Sequence, residues 1–371
     1  MGHARRCAIV ASWLAFRAMT PSAPTFMSRA LSSLPALALL VIPVGLNAQH
    51  PQSAGTAPPC SLSAADSGWA ADALAGWFRQ RERGLLVPPR AVPTLVLFDE
   101  TCAHTLVPTV GDRPPLRPGL TMLVAGDRYL ETVSIEHGGS VPLPDGTRIP
   151  AELTSFAAPD GSGGISFVMA LPAIWRAGRP GPDSDLLATV VFLHEFTHTQ
   201  TGSLAARIDT LLQAGLPADA TDDVVQDRFA GRAKFREAYE VERDLLFRAA
   251  AEPTDVGAAQ LAASALSIID RRRASHFAGT DSVYGSAEDV FLTLEGTAQW
   301  AAYLWLTDPE GGGMPPAEAL AFVRRDGRRW SQDEGLALAL VLARLVPGWS
   351  ARVFGDDPVT FLPLLRAAVT P

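Results

Sequence analysis

The rhythm of hydrophobic and polar positions changes near residue 180. Before that point, short apolar runs alternate with turn residues. Residues 92–98 (VPTLVLF), 120–124, 129–135, 153–156 and 165–170 read as strands. Pro144-Asp145-Gly146 and Pro159-Asp160-Gly161 read as turns. Their proline presets φ, their aspartate bonds the nearby backbone, and their glycine tolerates positive φ. One helical period precedes the strands, with Trp69, Leu74, Trp77 and Phe78 in residues 64–83 and a stop at Gly84. After Asp183 and Ser184, both candidate N-caps, the period becomes helical. One apolar helix runs from there to a stop at Gln200-Thr201-Gly202. Further helical stretches follow at 224–252, 256–277, 286–306, 316–323 and 334–345, with a short last one at the C-terminus. The pattern predicts an α+β domain over 64–371. A small mixed sheet dominates its α/β half (64–203), and helices dominate the half at 204–371.

The first 48 residues follow a different rule. They carry Arg5, Arg6, Arg17 and Arg29 and no acidic side chain. An apolar stretch runs from Leu31 to Leu46 and ends in Leu46-Asn47-Ala48. A basic start, an apolar middle and a small-residue end predict a secretory signal peptide cleaved after Ala48. The competing reading, an uncleaved anchor, suits the segment less well, because the run is short and interrupted by Pro35 and Pro43. Residues 49–63, polar and Pro-rich at their start, read as a linker. The chain is thus expected in the periplasm or outside the cell, off the membrane once the leader is removed.

Composition sharpens this picture. The whole chain has 31 basic and 39 acidic residues and a net charge of −8. Loss of a leader holding four of the basic residues lowers the charge to −12. So acidic a chain, without a basic patch, argues against nucleic acid or anionic lipid as partner. Cys7 lies in the leader, which leaves Cys60 and Cys102 as a pair. In an exported chain these two predict a disulfide between the start of the domain and its first strand region.

The candidate chemistry lies on the first long apolar helix, in His194-Glu195-Phe196-Thr197-His198, an H-E-x-x-H motif. Histidines four apart share one helical face, so both imidazoles can reach one ion. Glu195 points about 100° away. It can stand beside the ion and take a proton from a water the ion has made acidic. Leu186, Leu187, Val190, Val191, Phe192 and Leu193 give the helix the apolar character of a buried site. Two imidazoles and one carboxylate would leave a fourth zinc position open for water, with one zinc per chain.

The third ligand must come from elsewhere. Thr201 and Leu204 stand where a metzincin has glycine and histidine, which excludes that class. Two later glutamates are candidates. Glu295 lies in Leu294-Glu295-Gly296-Thr297-Ala298-Gln299-Trp300, which resembles the E-G-x-A-x-[YW] helix of aminopeptidase-type gluzincins and their minimal relatives. Gly296 and Ala298 would allow that helix to approach the motif helix, and Gln299 would face the same side. Glu240 lies in Glu240-Val241-Glu242-Arg243-Asp244, which resembles the E-x-x-x-D of thermolysin-like enzymes, with Asp244 orienting a metal histidine. Glu295 is the preferred reading and Glu240 the alternative. Their separations from His198, 97 and 42 residues, exceed the short intervals of those families, so substrate class is not carried over.

The resemblance covers two short motifs. It implies a gluzincin-type zinc metallopeptidase with a zincin-like fold, in which an edge strand above the motif helix holds extended peptide. Residues 165–170 are the candidate edge strand. It also implies hydrolysis of a peptide or protein substrate, with Glu195 as general base. His276, Tyr284 and Tyr303 are the candidate donors to the transition-state oxygen, and the sequence does not choose among them. Two rivals remain. One is a catalytically degenerate gluzincin that binds peptide or cell-envelope material; a pure binder would have no need of Glu195. The other is a structural metalloprotein, which would need a fourth protein ligand.

Overall fold

The computed structural model describes residues 60–370 apart from 89–90, 110–120, 126–127, 163 and 325–326. The leader at 1–48 and most of the linker lie outside them. The described chain is α+β, a six-stranded mixed sheet with a larger set of helices. Helix α1 (Ala64–Gln80) begins where the Ser63 hydroxyl oxygen accepts the Asp66 N–H at 3.0 Å. Just before it, Cys60 is disulfide-bonded to Cys102.

The strands are β1 (Thr94–Phe98), β2 (Cys102–Pro108), β3 (Thr121–Ala125), β4 (Arg128–Glu136), β5 (Ser140–Pro142), β6 (Arg148–Pro150), β7 (Ser155–Pro159) and β8 (Ile165–Ala170). The main sheet has the order β3-β4-β2-β1-β8-β7, and β5 and β6 form a separate hairpin. Among the described strands only β1 and β8 pair in parallel; the other neighbours are antiparallel. Between β1 and β2, Asp99 Oδ1 accepts the N–H groups of Thr101 and Cys102, each at 2.7 Å. Strand β2 escapes the apolar pattern because His104 and Thr105 interrupt it, yet His104 is buried.

The expected edge strand requires correction. Strand β8 lies between β1 and β7, and every position after Ile165 is buried. So apolar a strand suits a site covered on both faces. The edge is β7, which ends in Pro159, a residue without an N–H to donate.

After β8 the chain forms α2 (Pro172–Gly178) and then α3 (Ser184–His198), which carries the motif. Asp183 occupies the N-cap position without a side-chain bond, while the Ser184 hydroxyl donates to the carbonyls of Arg179 and Gly181. Three residues separate α3 from helix α4 (Gly202–Gln213), so Gly202 opens a helix as well as following one. Helices α5 (Val224–Phe229) and α6 (Ala233–Ala251) divide the expected single stretch at 224–252, with Arg232 extended between them. The remaining helices are α7 (Asp255–His276), α8 (Val283–Thr307), α9 (Pro316–Arg324), α10 (Trp330–Leu345), α11 (Trp349–Val353) and α12 (Phe361–Val369).

Helix α8 is the axis of this half and packs against α3, α4 and α10. Its crossing with α10 depends on two glycines. A Cβ at Gly296 would lie 2.4 Å from the Gly335 carbonyl, and one at Gly335 would lie 2.8 Å from the Gly296 Cα. Gly296, expected to admit the motif helix, therefore admits α10. Among the described residues no helix is long and apolar enough to cross a membrane.

Candidate metal centre

Helix α3 is buried along its last two turns, from Val190 to His198. Its faces divide the work by angle. Phe192 and Phe196 stack on each other and meet Phe167 of β8 at ring separations of 4.8 and 6.0 Å. Thr197 accepts the Trp77 indole N–H of α1 at 3.0 Å and donates to the Leu193 carbonyl. These contacts fix the rotation of the helix about its axis. His194 is two residues beyond Phe192, about 200° around the helix, so the imidazoles face away from the sheet, toward α8.

Glu295 meets them there. His194 Nε2 lies 3.1 Å from Glu295 Oε2, His198 Nε2 lies 3.4 Å from Glu295 Oε1, and the two Nε2 atoms are 3.2 Å apart. All three residues are buried. A tetrahedral zinc bonded at about 2.0–2.1 Å separates its ligand atoms by roughly 3.3 Å. The donor set therefore fits one ion in both spacing and chemistry. Burial outweighs the Glu295 charge and lowers the His198 pKa to about 4, so near neutral pH the ring carries a lone pair instead of a second proton. A ligand imidazole needs that form.

Glu195 is buried on a third face of α3. Its Oε1 accepts the Ser155 hydroxyl at 3.4 Å, a long bond. Ser155 is the first residue of β7, so the edge strand begins beside the carboxylate of the motif. Sequence reasoning missed this serine, because a strand pattern does not say which helix lies below it. It missed Asp222 also, since an acidic pair just before a helix reads as a cap. Burial and, next, the Glu295 carboxylate push the Asp222 carboxyl up to about 8.

Other candidates fall elsewhere. Glu240 is exposed on α6 and lies 4.0 Å from Arg236 one turn earlier; Asp244 is exposed and pairs with Arg243 at 2.8 Å. The alternative third ligand is thereby corrected: the E-x-x-x-D spacing here marks a solvated helix face. Gln299 donates to Gln332 of α10 at 2.9 Å and serves the α8–α10 contact. The three candidate donors make other contacts. The His276 ring packs against Phe235, Tyr284 meets Phe229 edge-on, and Tyr303 stacks on Trp300. His104 bonds Ser134 across β2 and β4 at 2.8 Å, and His137 bonds the Asp99 carbonyl at 3.0 Å. Both histidines also meet Asp99 in the β1–β2 turn, outside the His194, His198 and Glu295 group.

Comparison of the chain with protein-family models, curated proteins and solved structures returns no match.

Proposed function

We propose that the protein is an exported zinc-dependent metallopeptidase of the gluzincin kind, with a zincin-like arrangement of edge strand, motif helix and helical lobe. One observation carries the reading. Two imidazoles from α3 and one carboxylate from α8 converge at 3.1 to 3.4 Å, with Glu195 on the adjoining face. His194, His198 and Glu295 would hold the metal. When bound, the ion would acidify a water and polarise the scissile carbonyl. Glu195 takes a proton at its carboxylate and delivers it to the leaving amine. The Ser155 hydroxyl, bonded to Glu195 Oε1, holds the carboxylate in place. Among the described residues strand β7 has one neighbour in the sheet, so its other side suits backbone pairing with an extended peptide.

Metal analysis and cleavage of a peptide library by the exported protein test the proposal. The expected result is about one zinc per chain and peptide hydrolysis. Glu195→Gln should retain the zinc and lose on the order of 10² or more in kcat, because an amide cannot take the proton. Near-normal turnover in that variant would remove Glu195 as the base. Zinc without cleavage of any peptide would overturn the peptidase assignment.

A further inference from the structure

The first turn of α10 is held by a joint of polar side chains. Gln226 of α5 accepts the Trp330 N–H at 2.9 Å and donates to the Arg328 carbonyl at 3.0 Å. The Tyr239 hydroxyl of α6 donates to the Trp330 carbonyl at 3.2 Å, and Arg329 pairs with Asp223, the N-cap residue of α5. The joint bears on α8 as well. Gly335, directly after Glu334, packs on Gly296, the neighbour of Glu295.

Within this joint lies a small cavity, whose lining includes Asp223, Tyr239, Glu288, Trp330, Ser331 and Glu334. It leaves about 20 Å³ in which the centre of a water can lie. By that measure one water needs roughly 10–15 Å³, so the cavity holds one and not two. Three buried polar atoms of the lining residues have no hydrogen-bond partner among the described residues: Asp223 Oδ1, Ser331 Oγ and Glu334 Oε1. Ser331 and Glu334 are three residues apart on α10 and share one face of it. Buried atoms of this kind are costly to leave unsatisfied, and native proteins rarely do so.

We propose that this cavity binds one water molecule, which accepts from the Ser331 hydroxyl and donates to Asp223 Oδ1 and Glu334 Oε1. Three bonds are typical of a buried water. The charge balance selects a neutral ligand. Glu288 is already met by Arg272 and Arg273, and Asp223 by Arg329. Burial and, next, the Glu242 carboxylate hold the Glu334 pKa well above the usual carboxyl range, which favours its neutral form. The composition of the wall points the same way. Calcium takes six to eight oxygens, whereas Tyr239 and Trp330, stacked at 4.1 Å, and Phe291 face the cavity largely with carbon. The water lets acidic side chains at the starts of α5 and α10 share one joint without meeting directly. This site is independent of the metal and of the peptidase reading.

Two measurements on the full chain test this. A high-resolution crystal structure should show one isolated peak at hydrogen-bonding distance, roughly 2.7–3.2 Å, from all three atoms. No peak there overturns the site, and so does a peak surrounded by six or more oxygens at roughly 2.3–2.6 Å, the mark of calcium. Second, oxygen-17 relaxation dispersion counts waters held inside the protein. Ser331→Val removes the hydroxyl and puts methyl carbon into the cavity, so this variant should hold one water fewer than the unmodified chain. Glu240→Ala, an exposed change, should leave the count as it is. Equal counts in Ser331→Val and the unmodified chain overturn the site. The crystal structure needs no variant, so it decides even if Ser331→Val does not fold.

Discussion

Helix α8 carries two buried polar clusters roughly 10 Å apart along its axis, and they are resolved in opposite ways. At one, Glu288 accepts from Arg272 at 2.8 Å and from Arg273 at 2.7 Å, and Arg272 also pairs with Glu242. Arg272 is fully buried. Despite burial, the two guanidinium groups hold the Glu288 pKa below its usual value. A guanidinium does not give up its proton, so protein groups alone neutralise Glu288. At the other, Glu295 is met by two imidazoles, and burial keeps His198 neutral near pH 7. A carboxylate and two imidazoles converging within 3.4 Å form a set of electron-pair donors. Burial is common to both clusters. The partner's charge separates an ion-pair network that supports the helices from a site suited to a metal.

The strongest way to break the contrast is to remove a ligand. His194→Ala, His198→Ala and Glu295→Ala should each abolish stoichiometric zinc binding, measured by metal analysis after dialysis, while leaving a folded chain. Stoichiometric zinc in any of the three would sink the site. The converse change is Arg272→Met. It leaves Glu242 and Glu288 buried without their guanidinium, which costs about 3–5 kcal/mol. Denaturant unfolding should register that loss, and zinc per folded molecule should not change. A loss of zinc with little loss of stability would mean that the two clusters are one functional unit.

How much of this was legible in the sequence follows from the range of each signal. The motif carries His194, Glu195 and His198 within one helix, where residue spacing fixes the relative direction of side chains. Glu295 was legible through the resemblance of its local motif. The small residues around it were read for the wrong neighbour. Gly296 reports a close helix approach, and only tertiary structure shows that the approaching helix is α10. Strand β8 was legible as apolar, but its place between β1 and β7 depends on pairing order, which an apolar run does not encode. Helix α4 was lost because Gln200-Thr201-Gly202 looks like a stop and works as a short joint.

The neutral state of His198 gives a finer test of the comparison. Its pKa falls from 6.5 to about 4 in the folded chain. Between those values the unfolded state takes up a proton that the folded state refuses. Stability of the metal-free protein should therefore fall as pH drops from about 6.5 to about 4, and should change little from this group above that window. The full effect is on the order of 3 kcal/mol. Chemical denaturation across the window should show it, and His198→Gln should flatten that part of the curve. An unchanged pH dependence in the variant would show that His198 accepts its proton in the folded state, closer to the behaviour of the charged cluster.

The smallest expected effect is the most discriminating for the third ligand. Glu240 lies one helix away, with its carboxylate in solvent near Arg236. An exposed pair four residues apart contributes about 0.3–0.5 kcal/mol. Glu240→Ala should therefore cost no more than this, and should leave zinc content and affinity unchanged. Asp244→Ala should behave likewise, since its partner is the neighbouring Arg243. The thermolysin-like assignment makes opposite demands. It requires Glu240→Ala to remove the metal, and Asp244→Ala to weaken it about 10- to 100-fold, as loss of an orienting carboxylate does. Zinc affinities of the two variants beside Glu295→Ala separate the cases. A weakened metal in Glu240→Ala would mean that α6 reaches the centre and that the contrast between the two clusters on α8 is drawn in the wrong place.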